Sequence, residues 1–474
     1  MSNKRGLFLK NTAVIFVSQV ISQFSNFILI PLVTNVVTAK EYGEIDLIQI
    51  YISLFLPVLI LRIDSAFFRF LIEKRGDSES TSKIIHSGLY FILSLIIFTT
   101  LAGVIVLNVM KQRFANWIIL NLVTMMVSTC ILQILRGIGE TKKFAIITII
   151  GSILNILLNT LLLYFLKIGV ISILISSAIS NAIISVLAIF KVRHLRIVKT
   201  RKRLRNKKIM KEMLIYSIPL IPDYLSGWII NVSDRSLISL ILGLQASGVY
   251  SVTSKISNIL NSIFVIYNTS WHEMAVLWRK EENNAILYSK VINESVFFFS
   301  NLGIMFLPII SIIFPFIVGK NFREAYNYIP ILVYSNIWRV VVGLMMGIYI
   351  AYKKSKEIFL TTMVSAIINI VVNVALIGHI GLYAACISTL IAYVIMAVYR
   401  LIECKKIVNI RFNIRKFVIV NVIFIITSIA YYINNFYLNV LSLSLASIYF
   451  IFTSRKYIKE TLYLLKKKTC NPIQ

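Results

Sequence analysis

The stretch "NVSDRSLISLILGLQASGVYS" (231–251) places an acid and a base, Asp234 and Arg235, inside a run that is otherwise almost wholly apolar. In a water-soluble protein the two would form an ordinary surface contact. Of the 474 residues, however, 58% are hydrophobic and only 14% are charged, whereas soluble domains carry about a quarter charged residues. The apolar residues form runs of about 20, the length of helix that crosses a bilayer. The sequence therefore predicts an all-α protein that crosses the membrane many times.

The apolar runs predict about 14 transmembrane helices. The predicted spans are 12–37, 45–72, 84–109, 115–136, 144–166, 169–190, 213–243, 247–272, 290–318, 326–351, 358–378, 380–400, 416–433 and 436–453. The first of them is long enough to remain in the membrane, so we expect no cleaved signal peptide.

The basic residues predict how the chain is oriented. The formal net charge is +30, from 49 Lys and Arg against 19 Asp and Glu. With the N-terminus in the cytoplasm, most of these bases fall in cytoplasmic tails and loops, as the positive-inside rule requires. We therefore expect both termini to be cytoplasmic and the excess charge to face anionic lipid headgroups. The segment 191–211 also has the composition of a nucleic-acid patch, but an orienting juxtamembrane loop is the interpretation we favour.

The chain also repeats itself. "VVTAKEYGEI" (36–45) resembles "ILGLQASGVY" (241–250), which places Gly43 opposite Gly248. A second pair of similar segments is "GSILNILLN" (151–159) and "SAIINIVVN" (365–373). These matches align span 1 with span 7 and span 5 with span 11, so the repeat unit is six spans. Because six is even, both halves run in the same direction, an architecture found among secondary transporters.

The repeat predicts a domain organisation of two parallel six-helix lobes and two additional helices. The predicted segments are an N-terminal lobe (1–190), a basic cytoplasmic linker (191–212), a C-terminal lobe (213–405) and the extra helices with a basic tail (406–474).

Charges inside spans are costly and usually face a cavity or a partner, so they are candidates for function. The charged residues that we place inside spans are Arg62, Asp64, Arg69, Asp223, Asp234, Arg235, Lys255 and Arg339. Arg62 and Arg69 are seven apart and should share one helical face. Arg235 and Lys255 lie at matching depth, where two cations can hold one anionic group. The structural alternatives are that Arg69 snorkels to the interface and that Asp234 and Arg235 lock helices together.

Uncharged polar residues and the acids complete the candidate site. The residues expected to line a polar cavity are Gln19, Gln23, Asn26, Asn258 and Asn261. The alternative for these side chains is hydrogen bonding between helices, which we favour for the Asn-xxx-Asn pairs of the repeated segments. Asp64, Asp223 and Asp234 are candidates to bind a coupling H⁺ or Na⁺. The four cysteines are scattered without paired spacing, so we expect neither disulfides nor a metal site, and no other cofactor.

Two segments carry a resemblance to a known family. "NVSDRSLISLILGLQASGVYSVTSKIS" (231–257) and "LVTNVVTAKEYGEIDLIQIYISLF" (32–55) resemble the span 7–8 and span 1–2 signatures of polysaccharide-export flippases. These belong to the multidrug/oligosaccharidyl-lipid/polysaccharide exporter superfamily, and the resemblance covers essentially the whole chain. It implies a transporter, not an enzyme, in the bacterial cytoplasmic membrane. Its substrate would be a polyprenyl-pyrophosphate-linked oligosaccharide, flipped to the outer leaflet by alternating access around a cationic cavity, with polysaccharide polymerase machinery as a further partner.

On this reading Arg235, helped by Lys255 and Arg339, contacts the diphosphate, because an Arg fork engages two phosphate oxygens. Three alternatives remain. A multidrug exporter of the same superfamily calls for an acidic cavity, whereas the predicted interior is basic. A flippase for the peptidoglycan precursor handles the same lipid diphosphate. A membrane glycan polymerase or ligase needs a sizeable outer loop, and the predicted outer loops are short.

Overall fold

The computed structural model describes residues 18, 20–22, 24, 25, 27–194 and 206–452. For residues 193, 194, 223, 226, 227 and 229–231 it describes the backbone alone. Within these ranges every regular element is a helix and there is no strand, which confirms the predicted all-α class.

The described helices follow the apolar runs of the sequence. They are α1 (Val20–Thr34), α2 (Ala39–Leu59), α3 (Ile63–Glu73), α4 (Ser78–Val109), α5 (Ala115–Gly137), α6 (Thr141–Thr160, continued by a π turn over Leu161–Phe165), α7 (Ser172–His194), α8 (Lys207–Ser217), α9 (Leu220–Ile241), α10 (Leu244–Trp278), α11 (Asn284–Ile317), a 3₁₀ segment (Lys320–Tyr328), α12 (Ile329–Ala351), α13 (Ser355–Ile380), α14 (Leu382–Ile407), α15 (Ile414–Ile433) and α16 (Phe436–Phe452).

Ten of the described helices are long and apolar enough to cross a membrane. The shorter apolar helices α1 and α16 correspond to the first and last predicted spans. The long helices α9 and α10 correspond to spans 7 and 8, whose charged and uncharged polar residues lower their hydropathy. Together these helices account for the predicted architecture of about 14 spans. The chain is a multi-pass membrane protein.

Side-chain caps fix where several helices begin. Thr38 and Glu41 form a capping box at α2, in which each side chain accepts a hydrogen bond from the backbone N–H of the other. Asp77 caps α4 by accepting from the N–H groups of Glu79 and Ser80. Hydrogen bonding with Ser80 holds the pKa of Asp77 below its usual value. These bonds satisfy N–H groups that the first helical turn leaves without partners.

Predicted span 45–72 is broken into α2 and α3. Pro57 lacks an N–H, so the carbonyl of Ser53 has no helical donor, and the hydroxyl of Tyr224 donates to it at 2.9 Å. After the proline, Leu61 and Arg62 adopt left-handed backbone conformations with φ of 50° and 53°. The expectation that Arg62 and Arg69 share a helical face is therefore wrong, because α3 begins after Arg62.

The repeat-related glycines pack against each other where α2 and α10 begin. A Cβ built on Gly43 would lie 2.0 Å from the carbonyl oxygen of Leu244, and one built on Gly248 would lie 2.0 Å from that of Ala39. The contact is reciprocal, as a local two-fold relation between the two repeats requires. Only residues without a Cβ permit two helix backbones to approach this closely.

Contacts between Cα atoms divide the chain into two compact units. Unit 1 is drawn from Met1–Val252, Gly319–Phe322 and Ile377–Gly381, and unit 2 from Thr253–Val318, Arg323–Leu376 and Leu382–Gln474. The predicted lobes, 1–190 and 213–405, remain a prediction, since compact units and repeats need not share boundaries. In unit 1 a buried apolar cluster draws residues from α2 to α8 and includes Phe67, Ile85, Leu135 and Met213.

In unit 2 a buried arginine joins three helices. Arg400 of α14 is 1% exposed, and its guanidinium donates to the hydroxyls of Thr361 and Thr362 and to the carbonyl of Val342 at 2.8–3.2 Å. Hydroxyls and carbonyls thus satisfy this cation inside the protein. The sequence analysis did not single out Arg400, because it is the last residue of the predicted span 380–400.

The second Asn-xxx-Asn pair acts between helices, as we expected. Asn369 of α13 is buried, and its amide donates to the hydroxyls of Ser388 and Thr389 on α14 at 3.4 and 3.2 Å. In the first pair, Asn159 is buried and donates to the carbonyl of Asn155 one turn earlier on α6.

Candidate functional site

The arginine of the opening stretch forms an ion pair with an acid from another helix. Arg235 Nη1 on α9 donates to Asp46 Oδ2 on α2 at 2.8 Å, and the hydroxyl of Ser251 on α10 donates to the same oxygen at 2.5 Å. The Asp46 side chain is 2% exposed and that of Arg235 is 14% exposed. The hypothesis that Asp234 and Arg235 form an ion pair between helices is therefore wrong in its acid. The carboxylate that pairs with Arg235 is that of Asp46 on α2.

Asp234 has a different environment from Arg235. Adjacent residues of a helix point about 100° apart, so the two side chains enter different surroundings. The buried Asp234 carboxylate accepts a hydrogen bond from the hydroxyl of Tyr250 at 3.0 Å. Asp234 is thus held from α10 by Tyr250, the residue immediately before Ser251, which donates to Asp46.

Asp46 is the residue that the sequence analysis missed, although it lies inside the predicted span 45–72. The repeat offered a signal for it. Asp46 and Ser251 each follow their repeat-related glycine, Gly43 or Gly248, by three residues, so they occupy equivalent positions. In the structure these equivalent side chains meet, one turn from the glycine contact.

Arg62 lies at the break between α2 and α3 with part of its donor capacity unused. Its Nη2 donates to the hydroxyl of Ser65 at 2.7 Å, and Asp64 Oδ1 lies 3.9 Å from its Nε. The guanidinium carbon is 5.5 Å from the centre of the Tyr224 ring, a cation–π distance. Within the described part of the chain, the buried Nε makes no hydrogen bond. A guanidinium has five N–H donors, so this one can still bind an anion.

Arg69 has a different environment from Arg62. Its guanidinium contacts Glu73 one turn along α3 at 2.8 Å, and the two side chains are 57% and 49% exposed. This exposed pair favours the snorkelling interpretation of Arg69 over a role in binding substrate.

The remaining cations and amides of the candidate site lie in unit 2. Lys255, Asn258 and Asn261 are half-buried along α10. Arg339 of α12 is half-buried, with its guanidinium carbon 5.6 Å from the centre of the Tyr393 ring of α14. The ring supports the cation from one side, which leaves polar edges of the guanidinium available.

Some predicted site residues fall outside what the structure describes. These are Gln19, Gln23, Asn26 and the side chain of Asp223. Arg235 belongs to unit 1 and Lys255 to unit 2. That both residues bind the same anion remains a prediction. Among the described residues, no group of three His, Cys, Asp or Glu side chains is arranged to hold a metal ion.

A family model described as "Polysaccharide biosynthesis protein" matches residues 8–271, more than half of the chain. The chain belongs to this family. The match includes both signature segments, the Arg62 break and the Asp46–Arg235 pair. This confirms the predicted resemblance to a polysaccharide-related family. No curated protein matches the chain.

Solved structures show the same fold. The lipid II flippase MurJ in an inward closed conformation aligns with a TM-score of 0.67 and 17% identity, covering 95% of this chain and 100% of MurJ. A multidrug resistance MATE transporter of the MOP superfamily, in its inward-facing conformation, gives 0.66 and 14%, covering 81% and 93%. An outward-facing MATE transporter gives 0.57 and 15%, covering 83% and 94%. At these identities the likeness establishes the fold.

Proposed function

We propose that this member of the family is a flippase that moves a polyprenyl-pyrophosphate-linked oligosaccharide from the cytoplasmic to the outer leaflet by alternating access. Family membership and a fold shared with transporters support this proposal. The bacterial cytoplasmic membrane, with both termini cytoplasmic, is the location that fits the distribution of basic residues. The product would supply polysaccharide polymerase machinery on the outer face.

The observation that carries the proposal is the environment of Arg62. A cation inside a membrane span is costly unless it serves a partner, and this one retains unused donors at a break in the helix. Its planar fork suits the oxygens of a diphosphate. We propose Arg62 as the principal diphosphate contact. Lys255 and Arg339 remain cations that the sequence predicts for substrate binding. Arg235 also has a buried Nε without a hydrogen bond among the described residues, but its ion pair with Asp46 at 2.8 Å is closer than the 3.9 Å pair of Arg62 with Asp64, which favours a structural role for Arg235.

The energy source belongs to the same proposal. Asp64, Asp223 and Asp234 are the acids proposed to bind a coupling proton or sodium ion. Asp64 is buried and lies beside Arg62, so a change in its protonation would alter the charge next to the proposed diphosphate contact.

A flippase for a peptidoglycan precursor is the second candidate. The observation that favours it is the alignment with the lipid II flippase MurJ over 95% of this chain. Both substrates would present the same diphosphate to Arg62, so the two candidates differ in the sugar that they accept.

We expect Arg62→Ala to reduce export of surface polysaccharide about tenfold or more in cells that depend on the plasmid copy of this gene. The reason is the loss of a charge-assisted hydrogen bond, which contributes about 1.5–3 kcal/mol, where 1.4 kcal/mol is tenfold. Arg62→Lys should give an intermediate loss, because it keeps the charge but not the fork. The measurement is cell-surface polysaccharide per unit of protein in the membrane.

Arg69→Ala is the matched control, an arginine of the same predicted span that lies in an exposed ion pair. Its export should stay within about twofold of wild type. If Arg62→Ala exports normally at normal membrane levels, Arg62 does not contact the substrate.

A further inference from the structure

A cavity of about 630 Å³ lies between α4 and α8, within unit 1. Arg62, Asp64 and Tyr224 do not line it. Each wall is one helical face. Ser87, Tyr90 and Ser94 lie three or four residues apart on α4, and Lys207 and Lys211 lie four apart on α8. Its volume falls in the range of about 300–1,000 Å³ that is typical of small-molecule sites.

The α8 wall is held firmly in place. The N–H of Asn206 donates to the hydroxyl of Ser87 on α4 at 2.8 Å, which fixes the start of α8. The Asn206 side chain caps α8 by accepting from the N–H groups of Lys208 and Ile209 at 2.9 and 3.2 Å. On the opposite face of α8, Met213 is fully buried in the apolar cluster of unit 1. The cavity is thus built by two anchored helices.

The two ends of the cavity differ in polarity. Lys207 and Lys211 lie at the N-terminal end of α8, where the helix dipole adds positive charge. Farther along, the wall is apolar but exposed: Tyr90 is 54% exposed, Ile215 is 64% exposed and Ile218 is 46% exposed. A ligand that matches both ends has an anionic head and an apolar tail. A soluble anion would leave the apolar end uncovered.

The position of the cavity indicates where such a ligand comes from. The α4 wall belongs to one of the candidate membrane spans, and α8 follows the basic segment that we expect at the cytoplasmic surface. Lysines at that surface attract anionic lipid headgroups, and an amphipathic helix places its apolar face among acyl chains.

We propose that this cavity binds one anionic glycerophospholipid of the cytoplasmic leaflet. Its phosphate contacts the ammonium groups of Lys207 and Lys211, and an acyl chain lies along Tyr90, Ile215 and Ile218. Binding is independent of the transported substrate and joins α8 to α4 through the lipid.

Lipid titration of the full-length protein in a mild detergent, followed by native mass spectrometry, tests the proposal. We expect one phosphatidylglycerol to bind in clear preference to phosphatidylcholine. Lys207→Gln and Lys211→Gln should each weaken phosphatidylglycerol binding about fivefold. Lys208→Gln is the matched control, because it removes the same charge from the same helix but does not line the cavity. Its affinity should stay within about twofold of wild type.

A second variant distinguishes the contribution of the cavity's shape to lipid binding from that of the lysine charges. Ser94→Trp adds bulk at an exposed position of the α4 wall without changing the net charge, and it should abolish the tight phosphatidylglycerol complex. Equal binding of both lipids, an equal effect of Lys208→Gln and Lys207→Gln, or an intact complex in Ser94→Trp would each overturn the proposal. Displacement of phosphatidylglycerol by an equimolar polyprenyl diphosphate would also overturn it, since the cavity would then serve the transport substrate.

Discussion

Asp46→Ala should lower the free energy of unfolding by about 3–5 kcal/mol, because it leaves the Arg235 guanidinium in a nearly buried position without its carboxylate. Arg235→Met should cost a similar amount, since it strands a carboxylate that is 2% exposed. The double variant Asp46→Ala/Arg235→Met should be more stable than the sum of the two losses predicts, because neither charge is then left alone. Thermal unfolding in detergent measures all three differences.

The control for this pair is the neighbouring acid. Asp234 accepts a hydrogen bond from Tyr250, and Arg235 donates to Asp46. The coupling between Asp234→Asn and Arg235→Met should therefore be smaller than that between Asp46→Ala and Arg235→Met. If coupling is found only between Asp234→Asn and Arg235→Met, the charge on Arg235 is balanced by Asp234 and not by Asp46 of α2.

Gly43→Ala and Gly248→Ala should each destabilise the protein by about 3 kcal/mol or more. The added Cβ would lie 2.0 Å from a backbone carbonyl oxygen of the other helix, so no side-chain rotation can relieve the overlap. One helix must move, and that movement also disturbs the Asp46–Ser251 hydrogen bond three residues further on. The fraction of folded protein in membranes and the midpoint of thermal unfolding measure the loss.

Gly378→Ala is the control for the glycine contact. Gly378 lies in α13, and a Cβ added there meets no atom within 4 Å. Alanine has the higher helix propensity, so this variant should be as stable as wild type or up to about 1 kcal/mol more stable. If Gly43→Ala matches Gly378→Ala in stability, the two helices do not pack on their glycines.

The sequence predicted the number and position of the membrane helices well, because runs of apolar residues report burial in lipid directly. It did not predict where span 2 breaks. Pro57 signals a kink, but the break is completed by left-handed backbone at Leu61 and Arg62, supported by the bond from Tyr224 to Ser53. That support comes from another helix, which a local pattern does not reveal.

The sequence predicted most of the charged residues that form the candidate site but not which residues pair with each other. Intramembrane charges identified Arg62 and Arg235 as important, whereas the choice between a substrate contact and an ion pair depends on which helices meet. The repeat related Gly43 to Gly248 without showing that they touch. Likewise, the segment 191–212 was predicted as a linker, and its last residues instead begin α8 and form the wall of a cavity.

Flipping of a labelled polyprenyl-pyrophosphate-linked oligosaccharide by the purified protein in liposomes tests the proposed function most directly. The accessibility of the sugar to an added enzyme or quencher reports which leaflet holds the lipid. We expect loss of accessibility to be saturable with substrate and faster than in liposomes that hold Arg62→Ala at the same density. Rates equal to those of protein-free liposomes, under an imposed proton or sodium gradient of either sign, would contradict the proposal that this protein is a flippase for lipid-linked oligosaccharide.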